Sequence, residues 1–149
     1  MRLRIVGRRP APEVLKLANE NEAVEVTGTV DDVRPRLRDC VAVVVPLLSG
    51  GGTRIKILEA MALGVPVVST TVGAEGLPFV SGKHLLLADD ADALAASCVR
   101  LCLEKGYWKD LAASARSEVV ERYSWAGAAH RFLSLMAGSS GGRAAQSKG

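Results

Sequence analysis

At 149 residues the chain has room for one α/β domain with its own core, since a chain of this size buries about 68–70% of its unfolded surface. Apolar residues make up 48% and charged residues 23%, the balance of a globular protein, which excludes an intrinsically disordered chain. The 19 Lys and Arg against 16 Asp and Glu leave a net +3, too small and scattered to argue for nucleic-acid binding but suited to a phosphorylated small molecule. Strand-like apolar runs recur at 3–6, 24–27, 41–45, 65–69 and 84–88, and the middle ones are nearly continuous Val, as in strands buried on both faces. Helical patterns at 11–20, 31–38 and 53–63 separate them, so the order β-α-β-α-β-α-β predicts a parallel sheet with right-handed crossovers: doubly wound, Rossmann-like α/β.

Past Asp89-Asp90 the pattern turns helical, over 90–104, 107–121 and 124–137, punctuated by Gly106 and by Tyr123-Ser124. The Gly/Ser-rich residues 138–149 show no apolar period, which predicts a disordered tail behind a folded domain over 1–137. Met1-Arg2-Leu3-Arg4-Ile5-Val6 runs straight into a strand pattern with no signal-peptide core, and no run approaches the roughly 18 apolar residues of a membrane span. Cys40, Cys98 and Cys102 include no C-x-x-C pair and have no His-x-x-x-His partner, so they read as core thiols, Cys98 and Cys102 lying near Leu94 and Leu101 on one helix face. A cytoplasmic protein that meets a membrane only from its surface is the expectation.

Chemistry concentrates where the strand at 41–45 ends. Pro46 is followed by Ser49-Gly50-Gly51-Gly52-Thr53 and then by a helix, at the carboxyl end of a strand, where open α/β sheets bind ligands. Glycines allow close backbone approach, and a helix start offers free N–H groups and partial positive charge, so a phosphate is the natural guest. An ordinary flexible loop is the plain alternative. There is no G-x-G-x-x-G after the first strand and no G-x-x-x-x-G-K-[ST], which lowers the case for dinucleotide dehydrogenases and P-loop NTPases. In the helix, Ile55, Ile57, Leu58, Met61 and Ala62 are predicted to form the apolar arc, with Lys56 and Glu59 opposite, a spacing that also fits a solvated ion pair worth a few tenths of a kcal/mol.

The string GGGTRIKILEAMALGVPVVSTTVGAEGL, Gly50 to Leu77, resembles the donor-binding core of the GT-B retaining glycosyltransferases of family 4, the glycosyl transferases group 1. The similarity runs from Leu3 to about Met136. It takes in Leu3-Arg4-Ile5-Val6-Gly7, Val26-Thr27-Gly28-Thr29-Val30, Gly82-Lys83-His84-Leu85-Leu86-Leu87 and Glu121-Arg122-Tyr123-Ser124-Trp125.

The resemblance implies a donor domain for a UDP- or GDP-sugar, with no metal required. It makes Glu59 the second Glu of an E-x7-E motif, holding the ribose hydroxyls, a task for a carboxylate that accepts two vicinal donors. Amides around Thr53 and Arg54 would face the diphosphate, with Arg54 or Lys56 adding charge-assisted bonds, and the base would lie against Thr29-Val30. The first Glu of the motif is replaced by Gly51, so only the backbone of Gly50, Gly51 and Gly52 is offered to the sugar; relatives with a Gly-Gly-Gly-Thr-Arg string make this a subfamily variant. Glu75-Gly76, in a loop bordering the same crevice, is a further candidate for donor contact.

Retaining transfer in this fold resembles a same-face displacement in which the protein stabilises charge on the leaving diphosphate, so no protein nucleophile is named. The family's domain begins with one more strand, central in a 3-2-1-4-5-6 order, bearing a Gly-Arg and a downstream Lys. This chain starts at the second strand, so that strand, the basic pair and the N-terminal acceptor domain are expected to be missing partners. Two rivals stand beside this reading. One is a non-catalytic nucleotide-sugar-binding or assembly module. The other is an unrelated phosphosugar or nucleotide enzyme, which would need a titratable cluster from Glu75, Asp89, Asp90 and His84. His84 and His130 read as structural or solvated, and Asp89, Asp90 and Asp92 as a helix cap and macrodipole partners.

Overall fold

The computed structural model describes residues 1–50, 54–124 and 127. They divide into two compact units, residues 1–39 and residues from 40 onward. The first unit is β1 (Leu3–Val6), α1 (Pro12–Glu20), β2 (Val24–Gly28) and α2 (Arg34–Arg38). β1 and β2 pair in parallel, Leu3 opposite Val24 and Ile5 opposite Val26, and an Arg4–Glu25 ion pair at 2.9 Å bridges them. Pro12 opens α1, where its missing N–H removes no helical bond. α2 starts later than the pattern at 31–38 predicts, because the Asp32 carboxylate turns the chain by accepting the Arg34 N–H and Nε–H, both at 2.9 Å. Those bonds hold the Asp32 carboxyl below its usual pKa.

The second unit contains β3 (Val43–Val45), α3 (Ile55–Ala62), β4 (Val67–Ser69), β5 (Leu86–Leu87), α4 (Ala91–Leu103) and α5 (Lys105–Tyr123). Its sheet has the order β3-β4-β5, all parallel, with Val43 opposite Val67 and Val68 opposite Leu86. β4 is completely buried, and its neighbouring valines serve opposite faces, as the two-residue period of a strand requires. Val67 joins Val45, Ile57, Ala60, Met61, Ala115 and Val119 in one core, whereas Val68 joins Leu86, Leu101 and Leu111 in the other. α5 contributes to both. Helices therefore cover both faces of a parallel sheet, the doubly wound, Rossmann-like α/β arrangement, although the described strands are shared between two sheets.

Several expected boundaries move, each for a local reason. β4 begins at Val67, not 65, because Val65 closes the α3 terminus: its N–H reaches the Ala60 carbonyl at 2.9 Å and that of Gly64 (φ +75°) reaches Met61 at 2.9 Å. β5 is only Leu86–Leu87, since the His84 N–H bonds the Val80 carbonyl at 2.9 Å instead of a strand. Gly106 does not break the chain; it lies within α5, and Glu104 alone separates α4 from α5. The helix expected at 124–137, with His130, and the tail at 138–149 lie outside the described residues, save Ser124 and Gly127. All three cysteines are thiols, and burial raises the Cys98 pKa where it packs beside Leu101. Among the described residues no helix is long and apolar enough to cross a membrane.

Candidate functional site

The carboxyl ends of β3 and β4 carry two loops, 46–54 and 70–76, and α3 starts from the first. α3 packs on α5 and the sheet through Ile57, Ala60 and Met61, with Leu58 half-buried. Ala60 replaces Ile55 and Ala62 in the expected arc: Ile55 is 53% exposed, while Ala60 and Ala115 are both wholly buried. Small side chains there let α3 and α5 approach closely, and this rotates Ile55, Glu59 and Ala62 onto the outer face.

Glu59 and Lys56 are both exposed, and no ion pair joins them among the described residues. The mouth of α3 has no side-chain cap. The Ile57 and Leu58 N–H groups turn back to the Arg54 carbonyl at 3.0 and 3.3 Å, whereas the amides of Ile55 and Lys56 meet no acceptor among the described residues. In a helical turn the carbonyls opposite these two amides belong to residues 51–53, which lie outside the described residues. Of the candidates in the preceding loop, Gly50 is exposed with φ +123°, and Gly51, Gly52 and Thr53 lie outside the described residues.

Arg54 does not extend into solvent. Its Nη2 donates to the Val72 carbonyl at 2.8 Å and to the Gly50 carbonyl at 3.3 Å, and lies 3.7 Å from Glu75 Oε2. Its side chain is 9% exposed, against 75% for Glu75, and its buried Nε finds no hydrogen-bond acceptor among the described residues. The structure thus joins Arg54 to Glu75, a contact with no signature in the spacing of the two residues. Thr29 is exposed and Val30 half-buried at the carboxyl end of β2, in the first unit.

Sequence reasoning also missed how the loop after β4 is built. Thr70 Oγ1 donates to the Leu47 carbonyl at 2.5 Å and accepts the Gly73 N–H at 2.9 Å. Asp89 accepts the Thr71 N–H and O–H, both at 2.7 Å, and these bonds lower its carboxyl pKa. Capping explains Asp90, which receives the Ala93 N–H at 2.7 Å, but not Asp89, which fastens this loop to the end of β5. The run Ser69-Thr70-Thr71, two residues short of Gly73, was the available signal, since such hydroxyls favour local turns at strand ends. His84 is structural: it is buried, accepts the Val80 N–H at Nδ1 and packs edge-on against Phe79. Burial lowers its pKa, opposed by Glu118.

The family model of the glycosyl transferases group 1 matches residues 1–104. The chain belongs to this family. It is 30% identical over 138 residues to a phosphatidyl-myo-inositol mannosyltransferase of Mycobacterium leprae, covering 89% of this chain and 37% of that protein. It is 37% identical over 76 residues to the O-antigen chain mannosyltransferase B of Escherichia coli, covering 50% and 19% of the two. Its fold matches that of Anabaena HepE, solved in complex with UDP and glucose, with a TM-score of 0.74 at 18% identity over 91% of this chain and 40% of that one. The chain therefore spans less than half the length of these relatives. Within the group 1 family it carries the fold of the GT-B C-terminal domain.

Proposed function

We propose that the chain is the donor-binding half of a retaining glycosyltransferase of family 4, which moves a sugar from a nucleoside-diphosphate sugar to an acceptor hydroxyl. The observation that carries this is the match of residues 1–104 to the glycosyl transferases group 1, together with the exposed Glu59 on the helix that follows the glycine-rich loop. The diphosphate sits against the Ile55 and Lys56 amides, where the helix dipole and the Lys56 ammonium favour its charge. Glu59 accepts the ribose hydroxyls. As the sugar departs, the same amides and ammonium stabilise charge growing on the diphosphate, so the protein needs neither a nucleophile nor a metal.

A role in cell-envelope polysaccharide or glycoconjugate synthesis is part of this reading, supported by relatives named for phosphatidyl-myo-inositol and O-antigen chain mannosyl transfer. Acceptor binding belongs to a further, N-terminal domain, in keeping with the share of its relatives that this chain spans. Alone, the 149-residue chain has no useful turnover and binds nucleotide weakly. Titration with UDP, GDP and their sugars tests this. Millimolar binding that Glu59→Ala abolishes is expected, whereas turnover by the isolated chain with affinity tighter than about 1 μM would overturn the need for a second domain. Unchanged binding by Glu59→Ala would sink the ribose role.

A further inference from the structure

Residues 46–54, Pro-Leu-Leu-Ser-Gly-Gly-Gly-Thr-Arg, contain no carboxylate, yet one stands at this loop. Glu75 comes from the loop after β4, and its Oε2 lies 3.7 Å from the Arg54 Nη2 that also donates to the carbonyls of Gly50 and Val72. The carboxylate and the Gly50 carbonyl are thus grouped around one nitrogen, immediately before α3. The pair is asymmetric: its cation is 9% exposed and its anion 75%. Two carbonyls hold Nη2 in place, and the buried Nε has no acceptor among the described residues, so the guanidinium is fixed. The loop that carries Glu75 is fixed as well, by Thr70 on Leu47, by Thr71 on Asp89 and by the Glu75 N–H on the Val72 carbonyl at 3.3 Å.

Building on the donor-domain function assigned to α3, we propose that Glu75 recognises hydroxyls on the sugar of the nucleoside-diphosphate sugar, with Arg54 as the positioning residue that holds it at the mouth of α3. A bare carboxylate beside a diphosphate would repel it. Paired with Arg54, it adds no net charge there while its outward lone pairs remain open. Those lone pairs accept and never donate, so they select neighbouring hydroxyl groups and reject phosphate oxygens. The ribose hydroxyls are met by Glu59, further along α3 from the mouth. A second carboxylate at Arg54, on the side of Gly50, faces the other substituent of the diphosphate, which is the sugar.

A two-dimensional ¹⁵N–¹H titration of the 149-residue chain with UDP, GDP, UDP-glucose and GDP-mannose tests the assignment. Glu75 is exposed, so Glu75→Gln should fold as the parent does. The variant is expected to bind the bare diphosphate within about twofold of the parent and the sugar nucleotide about tenfold more weakly, the loss of one charge-assisted bond. Arg54→Lys should show the same selective loss. Three results would overturn the assignment: both ligands unaffected, both weakened alike, or both tightened because the carboxylate had been competing with phosphate for Arg54. Failure of the parent chain to bind any of the four ligands is a different result: it refutes the donor-domain function itself and removes the assignment with it.

Discussion

Replacing Arg54 with Met isolates what the buried guanidinium contributes to stability. Its two Nη2 bonds to carbonyls, each worth about 1.5–3 kcal/mol for a charged donor, make a large loss the naive expectation. Three features offset it. The Val72 carbonyl keeps the Glu75 N–H at 3.3 Å, the exposed Gly50 carbonyl returns to water, and the ion pair with the exposed Glu75 contributes about 0–1 kcal/mol. Removing the guanidinium also removes the buried Nε that has no acceptor among the described residues, a penalty of about 1–3 kcal/mol in the parent. A Met side chain keeps an apolar stem at this buried position, so Arg54→Met should cost only about 1 kcal/mol. Arg54→Ala also forfeits the packing of the stem and should cost about 2–3 kcal/mol. Urea unfolding followed by the fluorescence of Trp108, in the same unit, reads the difference as a shift of midpoint at constant slope. If Met proves as costly as Ala, the guanidinium bonds outweigh the stranded Nε, and the offsetting argument is wrong.

The loop after β4 should be equally sensitive to one methyl group. At Gly73 a Cβ would lie 2.8 Å from the Val45 carbonyl oxygen, which cannot move aside, so Gly73→Ala should cost about 1–3 kcal/mol and loosen the Glu75 loop. Gly76→Ala meets open space at φ +80° and should cost about 1 kcal/mol; equal midpoints for the two variants would contradict the close packing. His84 predicts a pH dependence. Because burial depresses its pKa, the unfolded chain binds more protons, so its share of stability is full above the ordinary value of 6.5 and is lost as pH falls through the folded value. The urea midpoint should drop between about pH 7.5 and about pH 5, and His84→Asn, which keeps an acceptor for the Val80 N–H, should flatten that drop. The same drop in both proteins would assign it to other groups.

The doubly wound order was legible because valine runs mark strands buried on two faces, and the helix after Gly50-Gly51-Gly52 was legible from its apolar period. Boundaries were less so. Val65 belongs to a helix terminus and His84 to a turn, although both sit in apolar runs, because hydrogen-bond partners rather than hydrophobicity end a strand. The apolar arc of α3 was misplaced by one face, since Ile55 and Ala60 differ less in pattern than in volume, and close approach to α5 favoured the alanine.

From its residues alone, this chain is a parallel α/β domain with a glycine-rich loop and a helix presenting Lys56 and Glu59, because periodicity and backbone freedom are local properties. Where Arg54 points was settled only in three dimensions. Positions 54, 72 and 75 meet because β3 and β4 are neighbours in the sheet, and a guanidinium reaching back across that pairing finds carbonyls in one loop and a carboxylate in the other.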